Sequence, residues 1–223
     1  VFTIQTDGTG YAVLHNFSGG DESYPWAGLA MEGETLYGTT SGWATDNRGA
    51  IFKIGADGSA YVCLKRFTGG ADAAFPLGGV VIAGNTLFGT TYYGTGSKYP
   101  GGTVFRINTD GTGYTLIHSN LSCPRGGIVL SAGMLYGTTI YGGGSNYGSV
   151  YAMTTNGAAF TILKGFTGSD GRTPWGTVAL SGHTIYGTTL AGGAADGGVL
   201  FSLPAPTPLI SSGPAWQTAE LGS

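Results

Sequence analysis

The sequence predicts an all-β protein, a β-propeller of four-stranded blades of about 50 residues each. Three observations lead there. A Tyr/Phe-Gly-Thr-Thr motif occurs four times, as Tyr37-Gly38-Thr39-Thr40, Phe88-Gly89-Thr90-Thr91, Tyr136-Gly137-Thr138-Thr139 and Tyr186-Gly187-Thr188-Thr189, at intervals of about fifty residues. Tight-turn dipeptides recur in step with it, at Asp7-Gly8, Asp57-Gly58, Asp110-Gly111 and Asn156-Gly157, where both residues tolerate the positive φ a two-residue hairpin requires. Glycine fills 44 of 223 positions, which penalises any helix heavily, and no stretch carries a helical hydrophobic period.

Each unit resolves into four short strands. The first runs over Gly28–Met31 and returns at 79–82, 127–130 and 177–180; the second is the Gly-Thr-Thr strand, from Thr35 to Thr40 in its first copy. The third, Ala50–Ile54, has an aromatic at its centre (Phe2, Phe52, Phe105, Tyr151 and Phe201), and the fourth, Tyr61–Phe67, follows the Asp-Gly turn. Residues 1–203 therefore form one propeller domain, with repeats at about 25–67, 76–120, 124–166 and 174–203. The hairpin 1–17 supplies third and fourth strands without a first and second. It is expected to close the ring with C-terminal strands, giving four or five blades, and the Pro-rich tail 204–223 is a candidate for degenerate closing strands. A four-stranded unit cannot cover both its faces alone, whereas radial packing of copies covers them and leaves only short edges.

Composition narrows the function. A net charge of −3 gives no basic excess to neutralise phosphates, so no nucleic-acid partner is expected, and no apolar run is long enough for a membrane span. A Gly-, Tyr- and Thr-rich chain poor in Lys and Glu reads as secreted or cell-surface, and Cys63 and Cys123 are expected to be free thiols, Cys63 at least partly buried. No cofactor or metal motif is present in the sequence.

The Leu/Ile-Tyr-Gly-Thr-Thr strand, the following Gly-Gly loop, the Gly-x-Val-Phe strand and the Asp-Gly turn resemble the Gloeo/Verruco (GloVer) extracellular bacterial repeat, and the order of strands is similar to the YVTN class of propeller repeats. The resemblance implies a propeller on an exported bacterial protein. It brings no catalytic residues to carry over.

In such a blade the tight 1–2 and 3–4 turns share one face, and the longer 2–3 and 4–1 connections share the other, where binding usually resides. The residue after each repeated proline (Pro25, Pro76, Pro124 and Pro174) enters the innermost strand at the channel mouth. These positions hold Trp26, Leu77, Arg125 and Trp175, diverging where the scaffold repeats. Stackable rings beside a cation suit a sugar face or an acidic saccharide; the structural reading is that the tryptophans plug the channel. Aromatics in the 2–3 loops, Trp43, Tyr93 and Tyr141 among them, extend the candidate ligand-binding set, and Asp46 and Arg48 stand without repeat counterparts. Asp21, Asp72 and Asp170 in the 4–1 loops are weak catalytic candidates, since glycoside chemistry needs paired carboxylates, but their equivalent places favour loop capping. His15 and His118 alternate with Lys65 and Lys164 in the fourth strand and read as structural. The leading expectation is a binding or scaffold module for glycan or cell-surface polysaccharide. The alternatives are a polysaccharide lyase or glycoside hydrolase, and an adhesive surface protein that self-associates through unpaired blade edges.

Overall fold

The computed structural model describes residues 1–18, 22–42, 48–95 and 101–206. The fold is the expected β-propeller. A short hairpin, β1 (Phe2–Thr3) and β2 (Ala12–Val13), precedes three four-stranded antiparallel sheets. The first sheet is β3 (Ala30–Glu32), β4 (Thr35–Thr40), β5 (Ala50–Gly55) and β6 (Val62–Arg66); the second is β7 (Val81–Ala83), β8 (Thr86–Thr91), β9 (Gly102–Asn108) and β10 (Thr115–Leu121). The third sheet comprises β11 (Val129–Ser131), β12 (Met134–Thr139), β13 (Ser149–Thr154) and β14 (Phe160–Gly165). The last has only three strands, β15 (Ala179–Ser181), β16 (Thr184–Thr188) and β17 (Leu200–Pro204). Among the described residues β1 and β2 pair only with each other; the candidate closing strands of the tail, from residue 207 onward, lie outside the described residues.

The repeated motif is a set of packing instructions. In the ladder its glycine stands directly opposite the third-strand aromatic: Gly38 faces Phe52, Gly89 faces Phe105, Gly137 faces Tyr151 and Gly187 faces Phe201. A Cβ on Gly38 or Gly89 would come within 2.5 Å of the facing ring. These glycines are thus not turn residues, as abundant glycine alone suggests, but flat places on which a ring lies. The preceding aromatic is turned to the next sheet. The first threonine of the motif ties blades together, Thr39 Oγ1 donating to the Gly78 carbonyl and Thr138 Oγ1 to that of Gly176. The second holds the following loop, with Thr91 donating to the Tyr93 carbonyl and Thr139 to that of Tyr141.

Sheets pack face to face in chain order, and each interface is one apolar cluster. Tyr37, Ile51 and Phe67 of the first sheet meet Val80, Leu87, Phe105 and Ile107 of the second. The same places join the second to the third (Phe88, Val104 and Leu121 with Ile128, Leu135, Tyr151 and Met153) and the third to the last (Tyr136, Val150 and Phe166 with Val178, Ile185, Phe201 and Leu203). The hairpin is seated on the first sheet in the same way, Phe17 meeting Phe52 at 5.2 Å as Phe166 meets Phe201 at 5.2 Å. Among the described residues no strand pairing links the last sheet to the first.

Candidate functional site

The channel mouth is built by four copies of one turn. Each 4–1 connection ends at a proline, and the residue before it is left-handed in every copy: Tyr24 (φ 61), Phe75 (φ 58), Cys123 (φ 60) and Thr173 (φ 57). Such a conformation costs a non-glycine residue of order 1 kcal/mol or more and persists only where its surroundings dictate it. Here two backbone hydrogen bonds per copy do so. The amides of Ser41 and Gly42 donate to the carbonyls of Tyr24 and Ser23, those of Tyr92 and Tyr93 to Phe75 and Ala74, those of Ile140 and Tyr141 to Cys123 and Ser122, and those of Leu190 and Ala191 to Thr173 and Arg172. From the other side the prolines press on the glycines that open the preceding blade's third strand. A Cβ on Gly49 would approach Pro76 at 2.6 Å and one on Gly148 would approach Pro174 at 2.5 Å. With the proline fixed from both directions, the next residue is aimed at the axis.

Four tripeptides result, Trp26-Ala27-Gly28, Leu77-Gly78-Gly79, Arg125-Gly126-Gly127 and Trp175-Gly176-Thr177, and together they line one cavity of about 350 Å³. Glycine permits the narrowness: a Cβ on Gly78 would sit 2.7 Å from the Gly126 carbonyl, and one on Gly126 would sit 2.6 Å from that of Gly176. The Arg125 guanidinium carbon lies 4.0 Å from the Trp175 ring centroid and 5.5 Å from that of Trp26, so one cation bridges tryptophans of two other blades. Both rings stay open to solvent, Trp26 at 55% and Trp175 at 41%. Among the described residues no carboxylate pairs with Arg125, whereas Lys65, Arg66, Lys164 and Arg172 each hold one. A larger cavity, about 890 Å³, lies on the tight-turn face beside Met31, Lys53 and Asp57, where the walls are the repeated turns.

A family model, the Gloeobacter/Verrucomicrobia repeat, matches residues 1–201. The chain belongs to this family. Comparison with curated protein sequences finds no match. Among solved structures the chain is similar to one from a nidogen/laminin complex (18% identity, TM-score 0.51, 78% of this chain and 60% of that one). It is also similar to TolB from Acinetobacter baumannii (13%, TM-score 0.59, 89% and 44%) and to an oligogalacturonate lyase in complex with manganese (12%, TM-score 0.59, 91% and 53%). The chain thus spans between 44% and 60% of these proteins' lengths, and at these identities they share its fold.

Within this Gloeobacter/Verrucomicrobia repeat, the sequence candidates separate into three groups. Trp26, Arg125 and Trp175 line one cavity together. Leu77 lines the same cavity but is buried with Ala74 and Phe75 against Tyr92 and Tyr93, so its side chain belongs to the wall. Tyr93 packs edge-on against Phe75 at 5.3 Å, and Tyr93 and Tyr141 occupy equivalent clamp positions, half-buried. Trp43, Asp46 and Asp21 lie outside the described residues. Arg48 stacks on Phe75 at 5.5 Å.

The remaining carboxylates are occupied. Asp72 accepts from the Thr68 amide and hydroxyl and from Lys65 at 2.9 Å; burial pushes its pKa upward, but those donors outweigh it and hold the carboxyl below its ordinary value. Asp170 repeats the arrangement with Lys164 and Thr167, and Lys164 first, then the Thr167 amide, pull it down to about 2. Both are loop caps. His15 and His118 stack on Tyr61 and Phe160. Burial, then the neighbouring Glu22, pushes the Cys63 thiol up to about 12, and Cys63 and Cys123 form no disulfide. Among the described residues no three His, Cys, Asp or Glu side chains gather as a metal site, and no helix is long and apolar enough to cross a membrane.

What sequence reasoning missed is the strained residue before each proline and the clamp that holds it. The signal available was the constant placement of a proline two residues after the start of that clamp and of a glycine at the head of the third strand.

Proposed function

We propose that this chain is a carbohydrate-binding scaffold module of an exported bacterial protein, and that its ligand is a saccharide carrying a carboxylate. The observation supporting this reading is the Arg125 guanidinium between Trp26 and Trp175 at the mouth of the channel. Stacking immobilises the guanidinium plane and leaves N–H edges to fork onto a carboxylate, a geometry Arg provides and Lys does not. Exposed indole faces beside it accept the apolar face of a pyranose ring. A tryptophan that merely plugged the channel would gain nothing from standing so far in water.

The enzyme alternative gains no support from Asp72 and Asp170. Each is saturated by a lysine of the preceding strand and a threonine of its own loop, and a carboxyl held below its ordinary value is a poor general acid at neutral pH. A glycan array comparing the chain with its Trp175→Ala variant tests the reading. Binding confined to carboxylated glycans and lost in the variant, with an unchanged melting temperature, supports it; binding to no glycan class removes it.

A further inference from the structure

We infer that Thr177 is a second reading group of the channel site, its hydroxyl donating to a ring or hydroxyl oxygen of the same sugar residue whose carboxylate Arg125 holds. The inference rests on the carbohydrate reading above and deepens it, from a carboxylate beside indoles to a carboxylate on a hydroxylated ring. The repeats serve as internal controls. The three positions equivalent to Thr177 are Gly28, Gly79 and Gly127, and all four line the channel cavity. Close approach of neighbouring sheets favours glycine there: a Cβ on Gly79 would stand 2.8 Å from the Gly28 carbonyl oxygen. Thr177 departs from that rule, and among the described residues lining the cavity it brings the only hydroxyl. Its neighbour makes the room, since a Cβ on Gly127 would stand 2.9 Å from Thr177 Oγ1.

The hydrogen bonds of this hydroxyl leave it half used. A threonine hydroxyl has one proton to donate and two lone pairs to accept with. The Gly127 amide donates to Thr177 Oγ1 at 2.8 Å, which occupies one lone pair and fixes the oxygen against the backbone of the third sheet's entry. Among the described residues no acceptor takes the Thr177 proton. An oxygen held in place by a backbone amide, with its proton still to give, is a preorganised donor, and little further ordering is needed when a ligand supplies the acceptor.

Its place relative to Arg125 sets what it reads. The contact of Gly127 with Thr177 joins the entries of the third and last sheets, the same two that Arg125 and Trp175 join at 4.0 Å. Thr177 follows Trp175 by two residues, which span at most about 7 Å of chain. The cavity holds about 350 Å³, the lower end of the roughly 300–1,000 Å³ that ligand pockets cover. In so small a space the guanidinium, the indole and the hydroxyl address one ring of the ligand: Arg125 its carboxylate, Trp175 its apolar face, and Thr177 an oxygen that only a hydroxylated or oxygen-containing ring carries.

Calorimetric titration of the full chain with two acids tests it: a uronic acid monosaccharide, and cyclohexanecarboxylate, which has a six-membered ring and the acid but no ring oxygen or hydroxyl. The readout is the ratio of the two affinities in the parent, Thr177→Gly and Thr177→Ser. Glycine is the residue at the three equivalent positions, and Thr177→Ala keeps the Cβ should glycine lower the melting temperature. The ratio is expected to fall at least about fivefold in favour of the carbocycle in Thr177→Gly and Thr177→Ala, with the affinity for cyclohexanecarboxylate unchanged, and to stay at the parent value in Thr177→Ser. A ratio that survives loss of the hydroxyl would overturn the inference and leave the carbohydrate reading standing. Equal weakening of both acids would also overturn it, since Thr177 then only positions the Gly127 backbone. A parent that binds neither acid removes the carbohydrate reading and this inference with it.

Discussion

The third and last sheets are written in nearly the same residues and differ in what covers them. Tyr136 and Val150 are buried beneath the last sheet, whereas Tyr186 and Leu200, at the same ladder positions, face solvent. The strands form in both, with the same register between Gly-Thr-Thr strand and aromatic strand. Strand formation here needs only the local pattern and its ladder; burial is conferred by the neighbour. Stability in this molecule is therefore nearest-neighbour in character, as in other stacked repeats, and the comparison can be broken or sharpened by substitution.

The largest effect is expected where the motif glycine is filled. Gly89→Ala forces a Cβ onto the Phe105 ring and should cost about 2–3 kcal/mol in denaturant unfolding. Next comes the comparison itself: Val150→Ala should cost about 2 kcal/mol, while Leu200→Ala at low protein concentration should change stability by less than about 0.5 kcal/mol. Equal costs would show that the last sheet is covered in solution. Tyr151→Phe should act in the other direction. Among the described residues the Tyr151 hydroxyl is buried without a partner, and the equivalent residues are Phe52, Phe105 and Phe201, so removing it should stabilise the chain by about 1 kcal/mol. The smallest effect is a pH dependence. Asp170 titrates at about 2 in the folded chain against an ordinary 3.8, so its contribution is present above about pH 4 and is lost as pH falls through about 2. Solvent screening of this half-open pair keeps it below about 0.5 kcal/mol, and Asp170→Asn should remove that part of the melting-temperature slope.

The architecture was legible because its determinants are local and repeated. Asp-Gly turns, strand alternation and the fifty-residue period each speak through neighbouring residues, and Trp26, Arg125 and Trp175 stood out because they vary at a position where the scaffold does not. The reason for the motif glycine was hidden, since it depends on a ring that only the ladder brings opposite. So was the left-handed residue before each proline, because Tyr, Phe, Cys and Thr have no shared preference for positive φ and hold it only through the clamp. Which face a sheet buries was beyond reach for the same reason: it is decided by the neighbouring sheet and not by any one repeat.

The functional account rests on Arg125 as an anion-reading group held between indoles. Calorimetric titration with an oligouronate and with its neutral methyl ester tests it most directly. The account predicts that the acid binds, that the ester binds at least about tenfold more weakly, and that Arg125→Gln abolishes the difference while leaving the melting temperature in place. Equal binding of acid and ester, or a preference that survives Arg125→Gln, would contradict it.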